Sequence, residues 1–189
     1  MSIKNDQSGF SLIETVVAMG ILATGLLGLA GVFTLGLAHM ATSSANLVAR
    51  EKAREAVESV HTARDTGTVT WAQINNVANG GVFLDGPQSL YNAGNDGLVN
   101  TGDDDDNGTA GLEVQRLPGP DGILGGSSTD DVLVPMTNYK RTILISPLNR
   151  DDGVTGVNDS LRLITVTITY SVGPVQRTYS LTTYVSSVS

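Results

Sequence analysis

Gly9-Phe10-Ser11-Leu12-Ile13-Glu14 opens an apolar run that meets no further charge until Arg50. About twenty apolar residues, rising ~1.5 Å each, cross the hydrocarbon core of a bilayer. Residues 10–38 are long enough for that. Glu14 is the exception: a carboxylate at such depth costs about 2.5–3.5 kcal/mol on insertion scales, so it marks function and calls for a partner. A short polar leader, residues 1–9, precedes the run and carries Lys4 and Asp6. A secretory signal peptide has an apolar core of about 7–15 residues, and this run is roughly twice that. An ordinary signal anchor fits the length but gives no reason for Glu14 or for the Gly9-Phe10 junction.

The 189 residues leave room for one membrane stem and one modest domain. The formal net charge is −8, and most of the acids fall between Asp85 and Asp159. The 11 lysines and arginines are scattered, which argues against a nucleic-acid partner, because phosphate binding needs clustered cations. There are no cysteines, so disulfides, thiolate metal sites and a cysteine nucleophile are excluded. No Gly-x-Ser-x-Gly elbow, metal-binding histidine pair or phosphate loop occurs, and no enzymatic activity is expected.

With its short leader, glycine, phenylalanine and glutamate four residues on, the opening stretch resembles the prepilin signature of type IV pilins and type II secretion pseudopilins. The resemblance implies cleavage between Gly9 and Phe10 by a prepilin peptidase and methylation of the new Phe10 amine. It also gives Glu14 its partner, the N-terminal amine of a neighbouring pilin or pseudopilin subunit during filament assembly. The run from Ala18 to Gly31, with Gly25-Leu26-Leu27-Gly28-Leu29-Ala30, is similar to PilV-like minor pilins. The implied function is that of a minor pilin. A type II secretion pseudopilin and a calcium-dependent surface adhesion protein on a membrane anchor are the alternatives. The implied location is the inner membrane, single-pass, with the C-terminal domain outside the cytoplasm, and then the pilus.

Past His39 the pattern becomes amphipathic. Leu47, Ala53, Ala56, Val57 and Val60 keep three- and four-residue spacing on one helical face. Arg50, Glu51, Lys52, Arg54, Glu55 and Glu58 take the other, with Arg54 and Glu58 spaced for an i,i+4 pair. No proline interrupts residues 10–64, so one helix of about 50 residues, roughly 80 Å long, is expected. Its glycines, Gly20, Gly25, Gly28, Gly31 and Gly36, fit close packing between transmembrane helices, and the resemblance to pilins also implies that this segment partly unwinds in a filament.

Residues 65–136 read as a Gly- and Asp-rich loop region with one short helix near Trp71–Val77. Two stretches repeat a pattern of Asp-Gly, two aliphatics, a small turn and paired aspartates: Asn95 to Asp104, and Pro120 to Asp131. Hard oxygen ligands on tight turns suit calcium, and the expected carboxylates are Asp96, Asp103, Asp105, Asp121, Asp130 and Asp131. Asp103-x-Asp105-x-Asn107-Gly108 matches the first half of an EF-hand loop, but Val114 stands where the closing glutamate belongs and Glu113 comes one residue early. A solvated acidic loop is the competing reading. In favour of calcium, four successive aspartates repel one another unless neutralised.

Residues 137–189 read as antiparallel strands. One spans Tyr139 to Ser146 and is ended by Pro147. Turns follow at Asp151-Asp152-Gly153 and at Asn158-Asp159. In the next strand, Leu161 to Tyr170, Arg162, Ile164, Val166, Ile168 and Tyr170 face one way and Leu161, Leu163, Thr165, Thr167 and Thr169 the other. Gly173-Pro174 turns the chain into a strand from Val175 to Val185. The expected fold class is α+β and pilin-like: a long N-terminal helix, membrane-spanning in its first half, packed on a C-terminal antiparallel sheet.

Overall fold

The computed structural model describes residues 11–105, 110–125, 130–149 and 157–187. Gly9, Phe10 and the Asp151-Asp152-Gly153 turn lie outside them. One helix, α1 (Leu12–Thr66), runs 55 residues. Six strands follow: β1 (Gln88–Ser89), β2 (Val114–Leu117), β3 (Val132–Pro135), β4 (Tyr139–Asn149), β5 (Val157–Val172) and β6 (Val175–Ser186). The chain divides into two compact units, residues 1–44 and 45–189.

The second unit is an α+β domain in which the C-terminal part of α1 packs on an antiparallel sheet of order β1-β4-β5-β6. Ala49, Ala53, Ala56, Val60 and Ala63 form the buried helical row, and Ile143, Ile145, Ile164, Val166, Ile168, Tyr170 and Val185 answer from the sheet. The pairing is small against large: an alanine row lets the helix approach, and the branched side chains of the sheet fill the space. Asn46 donates from Nδ2 to the Tyr170 hydroxyl at 3.0 Å, and Tyr139 stacks on Tyr170 with ring centroids 5.5 Å apart.

The expected helical face is rotated. Leu47 is 59% exposed and Val57 only partly buried, while Ala49 and Ala63 enter the core. Arg54 reaches Glu51 at 3.9 Å, where an Arg54–Glu58 pair was expected. The helix near Trp71 is two separate 3₁₀ turns, Trp71–Gln73 and Val77–Asn79.

Pro147 does not end its strand. β4 continues to Asn149, and the register with β5 shifts between Pro147 and Leu148. A proline lacks the N–H a ladder needs, so sheets hold it at edges and bulges, and Pro147 has both. Asn158 and Asp159, read as a turn, belong to β5. Within β5, Ile164, Val166, Ile168 and Tyr170 are buried, as the alternation predicts. Gly173, at φ +58°, and Pro174 form the two-residue loop to β6. A separate ribbon pairs β2 with β3.

Candidate functional site

The first unit is helical from Leu12, and its large apolar side chains are open on every side: Leu12 is 82% exposed, Leu27 73% and Phe33 66%. One window of 18 residues has a mean hydropathy of 2.2. A helix apolar all round belongs in a bilayer or a protein core. Glu14 lies in its first turn. At about 100° per residue, Gly20, Gly25, Gly28, Gly31 and Gly36 share one half of the helix surface, and Glu14 falls among them. Leu12, Met19, Leu22, Leu26, Leu29, Phe33 and Leu37 fill the other half. A Cβ added at any of the five glycines would meet nothing within 4 Å. Each glycine costs up to about 1 kcal/mol of helix propensity, and among the described residues nothing fills the space it leaves.

The two acidic stretches adopt one backbone design. Asp96 Oδ1 accepts from the Leu98 N–H at 2.8 Å, and Asp121 Oδ1 accepts from the Ile123 N–H at 2.8 Å. Asp103 Oδ2 accepts from the Asp96 N–H at 3.1 Å, and Asp130 Oδ2 from the Asp121 N–H at 3.4 Å. Asp104 Oδ2 takes the Asn100 N–H at 2.7 Å, and Asp131 Oδ2 the Gly125 N–H at 2.9 Å. Gly97 and Gly122 have φ of 69° and 70°, and Asn100 and Gly125 have 67° and 72°. Asn is among the few non-glycine residues that tolerate this left-handed region.

The loops differ in what they bury. Leu98 and Val99 are in the core, and the Val99 N–H donates to Ser59 Oγ on α1 at 3.0 Å. Their counterparts Ile123 and Leu124 are 60% and 57% exposed.

The structure thus brings Asp96 to Asp103 and Asp121 to Asp130. Asp131 sits beside Gly125 and pairs with Arg116 at 3.8 Å. Asp105 hands its N–H to the Asn92 carbonyl at 3.1 Å. Among the described residues, no three His, Asp or Glu side chains gather as a metal would require. The repulsion between neighbouring aspartates is relieved in part by backbone donors. For Asp103, burial pushes the carboxyl up, but hydrogen bonds from the Thr101 hydroxyl and the Asp96 N–H together outweigh it and hold the group below the ordinary range. For Asp104, burial wins and its carboxyl is pushed up, against the Asn100 N–H, Thr101 and Arg141.

A second charged group escaped the sequence reading. Arg141 is fully buried, with Nη1 3.4 Å from Glu113 Oε1 and 3.8 Å from Glu55 Oε1. Lys52 bridges Glu55 and Glu113. Burial alone would lower the Lys52 ammonium, but its hydrogen bonds to Glu113 and Glu55 outweigh that and raise it. Burial pushes the Glu113 carboxyl up, against the hydrogen bond from Lys52. The signal was available in the strand alternation, since Tyr139, Ile143 and Ile145 are all core residues and Arg141 shares their face.

Comparison with curated proteins and with solved structures gives no match. Residues 4–30, which run from the polar N-terminal stretch into α1, match the family model of the prokaryotic N-terminal methylation motif, and over this stretch the chain is similar to the type IV prepilins.

Proposed function

We propose that this chain is a minor pilin, a structural subunit of a type IV pilus, cut between Gly9 and Phe10 by a prepilin peptidase. The observation that carries the reading is Glu14, the one charge in the first turn of an exposed apolar helix, set on the side that holds the glycines. The methylation motif supports a structural subunit of the pilin type and not an enzyme. In this reading the mature helix partitions into the cytoplasmic membrane in a single pass, with the C-terminal domain on the far side. Glu14 then offsets the methylated amine of a neighbouring subunit, and the glycine side admits that subunit's helix. A pseudopilin of type II secretion would use the same helix in the same way.

The test is the N-terminal residue and intact mass of the chain recovered from the cell envelope, together with the fate of Glu14→Ala. A chain starting at methylated Phe10, with Glu14→Ala inserted and folded but absent from filaments, is the expected result. A chain that keeps Met1, or a Glu14→Ala variant that assembles normally, overturns it and favours an adhesion protein on a plain anchor.

Calcium in the acidic loops is a second proposal. Its support is the repeated juxtaposition of Asp96 with Asp103 and of Asp121 with Asp130, each pair on a tight glycine turn. Asp105 follows Asp103 two residues on, and Asp131 directly follows Asp130.

A further inference from the structure

The two edges of the four-stranded sheet are treated differently. Tyr139, Arg141, Ile143, Ile145 and Pro147 alternate on the β4 edge that faces away from β5, and that edge is covered as far as Ile145. Arg141 pairs with Gln88 of β1. The Asn76 side chain then acts as a short strand: its Oδ1 accepts from the Ile145 N–H at 2.8 Å, and its Nδ2 donates to the Ile143 carbonyl at 2.7 Å. Pro147 has no N–H to offer.

The β6 edge lacks such cover from Gln176 to Tyr184. Its register with β5 is unbroken over twelve residues, without bulge, proline or lysine. The Gly173–Pro174 loop and the bond from the Ser187 N–H to the Ser160 carbonyl, 2.9 Å, fix the odd-numbered residues of β6 as those bonded to β5. Gln176, Thr178, Ser180, Thr182 and Tyr184 therefore turn their N–H and C=O groups outward, and among the described residues no strand pairs with them. Natural sheets blunt such edges, because an open one is a template for another strand. Here one edge is blunted at four successive positions and the other only at its end, where Arg64 meets the Ser186 carbonyl.

The side chains beside the open edge define the partner's charge. Arg177 is exposed on the face of β6 that carries Tyr179, and the Arg50 guanidinium lies 5.8 Å from the Tyr179 ring. Arg64 donates to the Ser186 carbonyl at 3.3 Å, though Asp65 holds part of its charge. These cations line the edge of a chain whose net charge is −8. The opposite face of β6 offers only uncharged groups, Gln176, Thr178, Ser180, Thr182 and Tyr184.

We propose that the β6 edge receives an extended segment of a different protein by strand addition. Backbone hydrogen bonds to Gln176 through Tyr184 seat that segment, and acidic side chains at alternate positions face Arg50 and Arg177. A second copy of β6 fits poorly, since antiparallel self-pairing sets the same cations on both sides of one seam.

The test uses the full chain in detergent micelles and a fluorescent seven-residue peptide that alternates glutamate and threonine. Saturable binding is expected, with slowed exchange of the Thr178, Ser180 and Thr182 amides. It should weaken at least tenfold in Ser180→Pro, which removes an outward N–H and leaves the β5 ladder intact, and also in Arg177→Glu. An unchanged melting temperature for Arg177→Glu keeps the result readable if Ser180→Pro perturbs the strand. Equal binding of an isomer with its glutamates in one block, protection of those amides before any peptide is added, or Ser180→Cys disulfide dimers formed in preference to peptide binding would each overturn the proposal.

Discussion

Glu113→Gln is the sharpest probe of the domain's interior. The substitution preserves shape and removes the carboxylate nearest the fully buried Arg141, 3.4 Å away. The remaining acid, Glu55, stands at 3.8 Å and is 38% exposed, so it replaces little of what is lost. Removing one partner of a buried ion pair costs about 3–5 kcal/mol, because the other charge stays buried and uncompensated. Lys52 loses an acceptor as well but keeps Glu55, and Glu55 stays within reach of Arg141, which places the expectation near the lower bound, about 3 kcal/mol. For a unit of this size that lowers the melting temperature by about 10 °C. Trp71 is the only tryptophan, and Arg162 lies 4.4 Å from its ring, so its fluorescence reports the domain alone. Far-UV circular dichroism would be dominated by α1. Arg141→Met combined with Glu113→Leu should recover most of the loss, since well-packed apolar groups can replace a buried pair at little cost. A loss below about 0.5 kcal/mol in Glu113→Gln, or strict additivity in the double variant, would refute the claim that the cluster is a coupled unit.

Three further outcomes follow from the same geometry. Gly94→Ala and Gly119→Ala should each destabilise their loops, because a Cβ there collides with the carbonyl oxygen of Asp103 or Asp130; the Trp71 melt should fall more for Gly94, whose loop is buried, by about 1–3 kcal/mol. Lys52 has its ammonium raised above the ordinary value, so its contribution is complete below an unfolded value near 10.5 and is lost as pH rises through the folded one; a melt series from pH 9 to 12 should show an alkaline decline that is smaller in Lys52→Met. Millimolar calcium should raise the melting temperature relative to chelator if the acidic loops hold the ion, and equal melts with and without it would end that proposal.

What could be read from the sequence followed from regular periods. The absence of proline gave the long helix, and the alternation of β5 gave the buried face of the sheet. The errors cluster where a partner distant in the chain decides the outcome. Leu47 outranks Ala49 in hydrophobicity, yet the core takes Ala49, because the bulk comes from Ile143, Ile164 and Tyr170 and the helix must be thin to approach them. Pro147 signals a strand end only when strands on both sides need its N–H, and it lies on an edge. The repeated acid loops were legible as a pattern, but not their use: which oxygens accept backbone N–H groups depends on turns that bring Asp103 back to Asp96 across seven residues.

The two parts of α1 put small residues to the same use and find different answers. In residues 45–66 the alanine row is matched by the sheet, and every one of its members is fully buried. In residues 12–44 the glycines leave still more room, and among the described residues nothing comes within 4 Å of a Cβ placed there. Glycine lowers helix propensity by up to about 1 kcal/mol relative to alanine, so the first part gives up stability that the second part keeps. A bilayer alone does not call for that concession, since leucine or alanine would satisfy lipid equally well. Close approach by another helix does, and in the proposed filament that helix comes from a neighbouring subunit. Glu14 lies on the same side, and on the proposed reading a single neighbouring subunit answers both features, with an apolar helix for the glycines and a positive charge for the carboxylate.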